Sequence, residues 1–244
     1  KVDTGMTRLG CDCNEVKELI SKIDYLENIS LKGIYSHLAI ADSDQSEHAH
    51  ENFTQVQLNR FEKVFNDLGK RKKSICRHLA NSAGTLSDSS LHFDMVRVGL
   101  SLYGYCPIVE FDSSVNLKPA LNVRARVIHV RDVQKGTGVG YGHIFKSARN
   151  SRLAVVAIGY ADGVSRSLSG KISASVNGAL VPQVGAIAMD QMVLDITDQP
   201  NIKVGDVITL LGSDRENFIS PKKWSDLSGS IPWEVLCGFK NRLP

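Results

Sequence analysis

The sequence predicts an α/β fold followed by an all-β domain. Up to about residue 115, short apolar segments of strand length alternate with segments whose apolar residues recur at the helical period, a pattern typical of parallel strands with crossover helices. After that point the helical period fades, and short β-branched runs separated by turn residues take over. We therefore expect domains at residues 1–115 and 116–244, the second a β-barrel or sandwich.

The first half is expected to open with a helix capped by Asn14. A longer helix should begin at Ser46 and end at Gly69. Three short apolar segments predict strands at residues 33–38, 75–80 and 95–98. These units are too few to close an eight-stranded barrel of about 250 residues. We therefore interpret residues 1–115 as the C-terminal part of a TIM-like (β/α)8 barrel whose earlier part precedes Lys1.

The second half contains six predicted strands and one clear hairpin signal. The strands are expected at residues 121–133, 152–158, 172–176, 179–181, 192–196 and 206–211. Asn177 and Gly178 separate the third and fourth of these, and Asn-Gly is the pair that a two-residue hairpin turn favours.

Composition and charge exclude several classes of function. The net charge of +3 is mild, and the one basic cluster, at residues 70–73, follows a predicted helix end, so nothing indicates a nucleic-acid partner. The five cysteines lack zinc-ligand spacing, and their odd number favours free thiols in the cytoplasm. No apolar run is long enough to span a bilayer. Any membrane tether would therefore lie upstream of Lys1.

Polar residues follow three of the predicted strands, where parallel α/β proteins place their chemistry. His37 ends the first strand, Asn81 and Ser82 follow the second, and Arg97 ends the third. Ser82 and the backbone amides near Gly99 could together bind a phosphate group. Each residue has a structural alternative: a hydrogen-bonded histidine, a helix cap, or an arginine paired with a core acid.

Tyr141 lies between Gly140 and Gly142, which lets the backbone adopt positive φ and keeps bulk away from the ring. A phenol presented in this way can meet a ligand or another chain. The alternative is an ordinary hairpin turn that happens to carry a tyrosine.

Six blocks of sequence together resemble the alanine racemase family. They are KVDTGMTRLG from Lys1, HLANSAG from His78, MVRVGL from Met95, VGYG from Val139, IGYADGVSR from Ile158 and VGAIAMDQ from Val184. The resemblance implies a TIM-like barrel followed by a β domain, pyridoxal 5'-phosphate as cofactor, and a homodimer with shared active sites. It also implies a racemase that exchanges the α-proton of a small amino acid between two bases.

The resemblance also implies roles for individual residues. Tyr141 matches the catalytic tyrosine that enters the partner subunit's site, with His37 and Arg97 in the network beside it. The remaining matches fall into three groups. Cofactor contacts are implied for Arg97, Asn81, Ser82, Gly99, Leu100 and Asn241. Contacts with the substrate or the site entrance are implied for Arg8, Tyr160, Met189, Asp190 and Asn241. Arg8 also matches a catalytic residue, in contact with the cofactor's phenolic oxygen or the substrate carboxylate. Lys1 matches a lysine that is carbamylated in many members.

The chain departs from the family pattern in two places. The block that carries the family's cofactor-binding lysine is absent, so we expect it upstream of Lys1. Asn241 replaces the usual tyrosine before Arg242, as in the membrane-bound serine racemases of vancomycin resistance. We therefore predict a serine or alanine racemase supplying D-amino acids for cell-wall precursors. The alternatives are a strict alanine racemase, or a non-catalytic fragment that binds cofactor or dimerises.

Overall fold

The computed structural model describes residues 1–42, 52–69, 74–108, 115–240 and 242–243. The predicted helix start at Ser46, the basic cluster at 70–73 and the substrate candidate Asn241 lie outside these ranges. The chain divides into two compact units, Lys1–Ala120 and Leu121–Pro244. No helix within the described ranges combines the length and the apolar character needed to cross a membrane.

The first unit has the predicted α/β order. Its elements are β1 (Val2–Asp3), β2 (Cys11–Asp12), α1 (Val16–Asp24), β3 (Gly33–Tyr35), α2 (Phe53–Asn66), β4 (Cys76–His78) and α3 (Ser82–Ser87). Strands β3 and β4 pair in parallel, with Tyr35 opposite His78, and α2 lies between them in the chain. Strands β1 and β2 form a second parallel pair. The predicted parallel strand–helix–strand unit is therefore confirmed.

Helix α2 forms because it has both a cap and an apolar stripe. The side-chain oxygen of Asn52 accepts the N–H of Gln55 at 3.1 Å and so satisfies a backbone donor at the helix start. Leu58, Phe61 and Val64 recur at helical spacing and are buried. Each such side chain contributes about 2 kcal/mol of hydrophobic stabilisation. The apolar residues of α2 thereby form part of the core of the first unit.

Two sequence predictions for the first unit are wrong. The N-cap of α1 is Glu15 and not Asn14, because a turn closed by the Glu15 N–H and the Asp12 carbonyl (3.0 Å) precedes the helix. Residues 95–98 do not form a strand. The carboxylate of Asp94 accepts the Arg77 N–H at 2.8 Å, a donor that a ladder partner would need. The segment therefore runs beside β4 with isolated backbone bonds instead of a ladder.

The second unit is built on a closed antiparallel barrel. Its strands are β5 (Val123–Val133), β6 (Gly138–Val139), β7 (Phe145–Lys146), β8 (Ser151–Val156), β9 (Ser173–Val176), β10 (Ala179–Val184), β11 (Met192–Asp195), β12 (Val207–Asp214) and β13 (Asn217–Ile219). The ring runs β12-β5-β8-β11-β10-β9 and closes where Thr209 of β12 pairs with Ser175 of β9. The structure thus has the barrel and not the sandwich.

The hairpin between β9 and β10 is confirmed. Val176 pairs with Ala179, and the two intervening residues, Asn177 and Gly178, have φ of 53° and 85°. Positive φ at both positions is the type I′ turn that matches the twist of antiparallel strands. Inside the ring, strand residues alternate inward to form the apolar core, which includes Val156, Ala174, Leu194, Ile208 and Leu210.

Two helices near the C-terminus were not predicted from the sequence. They are α4 (Pro221–Ser228) and α5 (Pro232–Gly238). Ser220 caps α4 by accepting the Lys223 N–H, and Gly229 ends it with φ of 71°. A serine cap, a proline in the first turn and a terminal glycine are strong boundary signals. Trp224 of α4 is buried in the barrel core, so tertiary packing stabilises this short helix.

We expect Asp94→Asn to destabilise the protein in a pH-dependent way. The Asp94 carboxyl accepts hydrogen bonds from the guanidinium and from the backbone N–H of Arg77. These bonds lower the pKa of the carboxyl to about 2. A carboxyl with a lowered pKa stabilises the fold above its unfolded pKa of about 3.9, and the contribution is lost as the pH falls towards 2. Because the pair is partly exposed, the loss at pH 6 should be at most about 1 kcal/mol.

Urea unfolding at pH 6 and pH 2 measures this difference. The difference in the free energy of unfolding between wild type and Asp94→Asn should be smaller at pH 2 than at pH 6. Asp198→Asn is the control, because Asp198 also pairs with an arginine, Arg149, but both side chains of that pair are exposed. An equal gap at the two pH values would contradict the assignment.

Candidate functional site

Arg97 ties together the ends of the two parallel strands of the first unit. Its guanidinium donates to the carbonyls of Ser36 (2.6 Å), His78 (3.1 Å) and Leu79 (3.2 Å). Ser36 follows β3, and the other two residues lie at the end of β4. Arg97 itself lies in an irregular segment and not at a strand end, which corrects the sequence prediction. Its bonds to carbonyls and imidazoles stand in place of the core acid that was the alternative.

The same guanidinium fixes the protonation of two histidines. Its Nη1 lies 2.8 Å from His78 Nδ1, and its Nη2 lies 3.3 Å from His37 Nδ1. A guanidinium only donates, so both Nδ1 atoms accept, and each imidazole carries its proton on Nε2. Burial, and then the charge of Arg97, lower the pKa of both histidines. Both effects favour the neutral form of each ring.

His78 and Tyr35 belong to this cluster although they were not predicted as site residues. Their rings stack with centroids 4.8 Å apart and planes 5° apart, and the Arg97 guanidinium lies 5.2 Å from the Tyr35 centroid. The stack follows from their direct pairing across β3 and β4. His78 opens the HLANSAG block, so its position at the end of a predicted strand was a usable signal.

Ser82 forms the centre of a second polar group beside this cluster. Its hydroxyl oxygen accepts the N–H of Gly99 at 2.8 Å and that of Ser101 at 3.3 Å. A Cβ added to Gly99 would have Ser82 Oγ as its nearest neighbour, at 4.0 Å, so there is open space beside Gly99 although its N–H is engaged by Ser82. Asn81 is the cap of α3, with its side-chain oxygen bonded to the Gly84 N–H at 3.0 Å. The helix-cap alternative therefore holds for Asn81.

Lys1 and Arg8 interact with His37 through their positive charges. Arg8 is exposed in the loop between β1 and β2, and Lys1 immediately precedes β1. After burial and Arg97, the positive charges of Arg8 and Lys1 further lower the pKa of His37. Apart from these two and Leu100, the predicted site residues of the first unit lie at or beside the ends of β3 and β4.

The remaining described candidates form a separate exposed group in the second unit. Tyr141 sits at the tip of the β6–β7 hairpin and is 70% exposed. Gly140 and Gly142 both have φ of 68°, as predicted for this turn. The turn packs closely on the segment after β10, because a Cβ on Gly185 would lie 2.8 Å from the Val139 carbonyl oxygen.

The segment after β10 also brings Tyr160, Met189 and Asp190 together. The N–H groups of Tyr160 and Ala161 each donate at 2.9 Å, to the carbonyls of Ala188 and Met189 respectively. Tyr160, Met189 and Asp190 are exposed. Three aromatic or apolar side chains, those of Tyr141, Tyr160 and Met189, are thus presented by adjoining turns of one unit.

The carboxylate of Asp162 stabilises the loop that carries Tyr160. Its Oδ2 accepts the Gly159 N–H at 2.9 Å, and its Oδ1 accepts Arg242 Nε at 2.8 Å. Asp162 is buried, so this ion pair fixes the chain near its C-terminus to the Tyr160 turn. Sequence reasoning did not find this contact, which joins residues 80 positions apart.

Removing the charge of Arg97 should raise the pKa of both histidines. In Arg97→Gln, His37 and His78 lose the neighbouring cation while their burial persists, so both imidazoles should protonate at higher pH than in the wild type. Nitrogen-15 NMR of histidine-labelled protein between pH 4 and 8 reports both pKa and tautomer. Arg126→Gln, in the second unit, is the control. Unchanged titration in Arg97→Gln would contradict this electrostatic coupling.

Comparison with known proteins places both units. The family model described as "Alanine racemase, N-terminal domain" matches residues 1–107, and "Alanine racemase, C-terminal domain" matches residues 120–244. An alanine racemase of Prochlorococcus marinus is 58% identical over 244 residues, and one of Nostoc is 44% identical over 247. Each alignment covers 100% of this chain, but 63% and 62% of the respective relative.

Solved structures give the same result. The crystal structure of alanine racemase from E. faecalis matches with a TM-score of 0.88 and 31% identity, covering 99% of this chain and 63% of that one. The enzyme from Bartonella henselae, with covalently bound pyridoxal phosphate, matches with a TM-score of 0.82 and 35% identity, covering 98% of this chain and 63% of that one. The family depends on pyridoxal phosphate, which confirms the cofactor prediction. On both its sequence and its fold, the chain belongs to the alanine racemase family.

Proposed function

We propose that the intact protein is a pyridoxal-phosphate-dependent alanine racemase that acts as a homodimer. The observation that carries the proposal is the Arg97 cluster, in which one guanidinium holds two neutral imidazoles at the ends of parallel strands. The cluster lies in a chain that matches both domains of the family.

The residues of the first unit fit the cofactor. The Ser82 hydroxyl accepts from Gly99 and Ser101 and so has its own proton left to donate to a phosphate group, in the open space beside Gly99 and with the Leu100 amide adjacent in the chain. Asn81 uses its side-chain oxygen as a helix cap, so only its NH₂ group remains to face a ligand. Bound pyridoxal phosphate supplies a ring that withdraws electrons from the α-carbon of the amino acid.

Arg97 would face the nitrogen of that ring. Because a guanidinium does not give up its proton, Arg97 would donate a hydrogen bond to this nitrogen and leave it unprotonated. An unprotonated nitrogen would limit how strongly the ring withdraws electrons, and Arg97 would thereby favour simple return of the α-proton over side reactions. The bonds from Arg97 to the carbonyls of Ser36 and Leu79 hold its donor in one place for this task.

Tyr141 is the proposed base for one face of the substrate. A phenol has a pKa near 10, so acting as a base at neutral pH needs about 4 kcal/mol of help from nearby cations. In its own unit, Tyr141 is exposed beside Ile144 and in the same surface group as Met189. An exposed apolar group of this kind suits an interface. A second copy supplying the cofactor site would bury it and bring Tyr141 to the His37–Arg97 cluster.

Alanine is the better-supported substrate. The relatives compared above are alanine racemases, which favours the strict alanine racemase that the sequence offered as an alternative. The serine hypothesis rests on Asn241, outside the described residues, and gains no support from these relatives. The proposed roles of Arg8, Tyr160, Met189 and Asp190 at the substrate entrance follow from their family matches.

The direct test is racemisation by the intact protein loaded with pyridoxal phosphate. L-alanine and D-alanine should interconvert, with serine converted more slowly, as measured by chiral chromatography. Binding of cofactor without turnover would support the non-catalytic alternative, and faster turnover of serine would restore the serine hypothesis.

Tyr141→Phe should lower racemisation about 10²–10⁴-fold, as expected for loss of a positioned base. Since racemisation has an equilibrium constant of one, kcat/KM must fall equally in both directions. The asymmetry should appear in deuterium oxide, where one enantiomer still exchanges its α-proton at the remaining base and the other does not. Tyr25→Phe, at an exposed residue of the first unit, is the matched control. Equal exchange of both enantiomers would contradict the role of Tyr141.

Ser82→Ala should weaken cofactor binding. It removes the hydroxyl that accepts from Gly99 and Ser101, and a hydrogen bond to a charged phosphate is worth about 1.5–3 kcal/mol, or roughly 10–100-fold in Kd. Fluorescence titration of the cofactor-free protein with pyridoxal phosphate measures the change. Ser87→Ala, near the other end of α3, is the control. An unchanged Kd would remove Ser82 from the phosphate site.

A further inference from the structure

His37 lies just beyond the end of a β-ladder. The pairing of β3 and β4 ends at Tyr35 and His78, with one further bond from the Ser36 N–H to the His78 carbonyl at 3.3 Å. Backbone groups beyond a ladder need other partners if they are buried. The position of the His37 imidazole therefore depends on whatever holds the backbone of residues 37–39.

The side chain of Gln57 on α2 provides that hold. Its Nε2 donates to the His37 carbonyl at 2.9 Å, and its Oε1 accepts the Ala39 N–H at 2.9 Å. The carbonyl of one residue and the N–H two residues later are the pair of groups that a neighbouring strand would engage. One side-chain amide thus bonds the backbone at His37 in the way that a neighbouring strand bonds the backbone at Tyr35.

The same amide reaches the end of β1. Its second N–H donates to Thr4 Oγ1 at 3.1 Å, and Thr4 Oγ1 lies 2.8 Å from Ser36 Oγ. Gln57 is fully buried, and these bonds use both of its donors and its acceptor. A buried amide with every group bonded has one favourable orientation, so α2 is fixed to the ends of both strands.

We propose that Gln57 is a positioning residue for the reaction, holding the His37 backbone so that the imidazole stays against Arg97. This inference rests on the proposed racemase function. It predicts that loss of the Gln57 amide acts on turnover through His37 and not through general stability. An error of about 1 Å in the position of a catalytic group is enough to cost about 10²-fold in rate.

The test is a double-mutant cycle in the intact, cofactor-loaded protein. Gln57→Met keeps the length of the side chain and removes all three bonds. We expect kcat for alanine racemisation to fall about 10–100-fold, with KM changing less than about threefold. In a His37→Gln background the same change should cost less than about twofold, because the group it positions is already gone. Equal losses in both backgrounds would overturn the proposal.

Leu58→Ala is the matched control. Leu58 is the neighbouring buried residue of α2, and its loss destabilises the core without touching the amide. Its effect on kcat should be small and the same in both backgrounds. If Gln57→Met does not fold, Gln57→Leu replaces it, because leucine has a similar volume, adds no buried charge and also makes none of the three bonds.

A second readout does not depend on turnover. The nitrogen-15 resonances of the His37 ring should move in Gln57→Met and stay in place in Leu58→Ala, and unmoved resonances in both would overturn the proposal. Wild-type protein that does not racemise alanine would remove the proposed function instead. The NMR result would then still decide whether Gln57 positions His37.

Discussion

The Arg97 guanidinium is the interaction on which the candidate site depends. Strand ends of a small parallel sheet expose carbonyls that would otherwise turn to water or to neighbouring loops. Arg97 gathers three of them, from residues at or just after the ends of β3 and β4, and the same two Nη atoms also contact two imidazoles. Structure and electrostatics are therefore set by one group. The bonds that fix the backbone also fix the tautomers of His37 and His78.

This arrangement puts a positive charge in a half-buried place with no carboxylate bonded to it among the described residues. Burial lowers the pKa of Arg97, although arginine stays charged in proteins. Carbonyl dipoles and the Tyr35 ring offset part of the desolvation cost. An arginine whose charge is not cancelled by an acid keeps its field available to a bound ligand. That property suits a cofactor site better than a structural ion pair.

Local patterns predicted the elements whose stability is local. The Asn177–Gly178 turn, the φ values around Tyr141 and the parallel β3–α2–β4 unit follow from residue type and spacing. Barrel closure between Thr209 and Ser175 joins distant residues and has no such signature. The same holds for Asp162 with Arg242, and for Gln57 with His37. The expected strand at 95–98 failed because the Asp94 side chain took a backbone donor, a competition that apolar periodicity does not report. Ser220, Pro221 and Gly229, in contrast, marked α4 by a local signal that was overlooked.

Tyr141 is carried by a hairpin that is no part of the barrel ring. The ladder of β6 and β7 contains two residue pairs and shares no strand with the six that close the barrel. The hairpin is nevertheless anchored on the barrel, because Val139 is buried in a small apolar cluster with Leu153 and Val184. The phenol of Tyr141 lies outside this cluster, because it is 70% exposed. Substitutions at exposed positions of the turn, such as Ile144, can therefore change how the phenol is presented while the cluster around Val139 keeps the hairpin on the barrel.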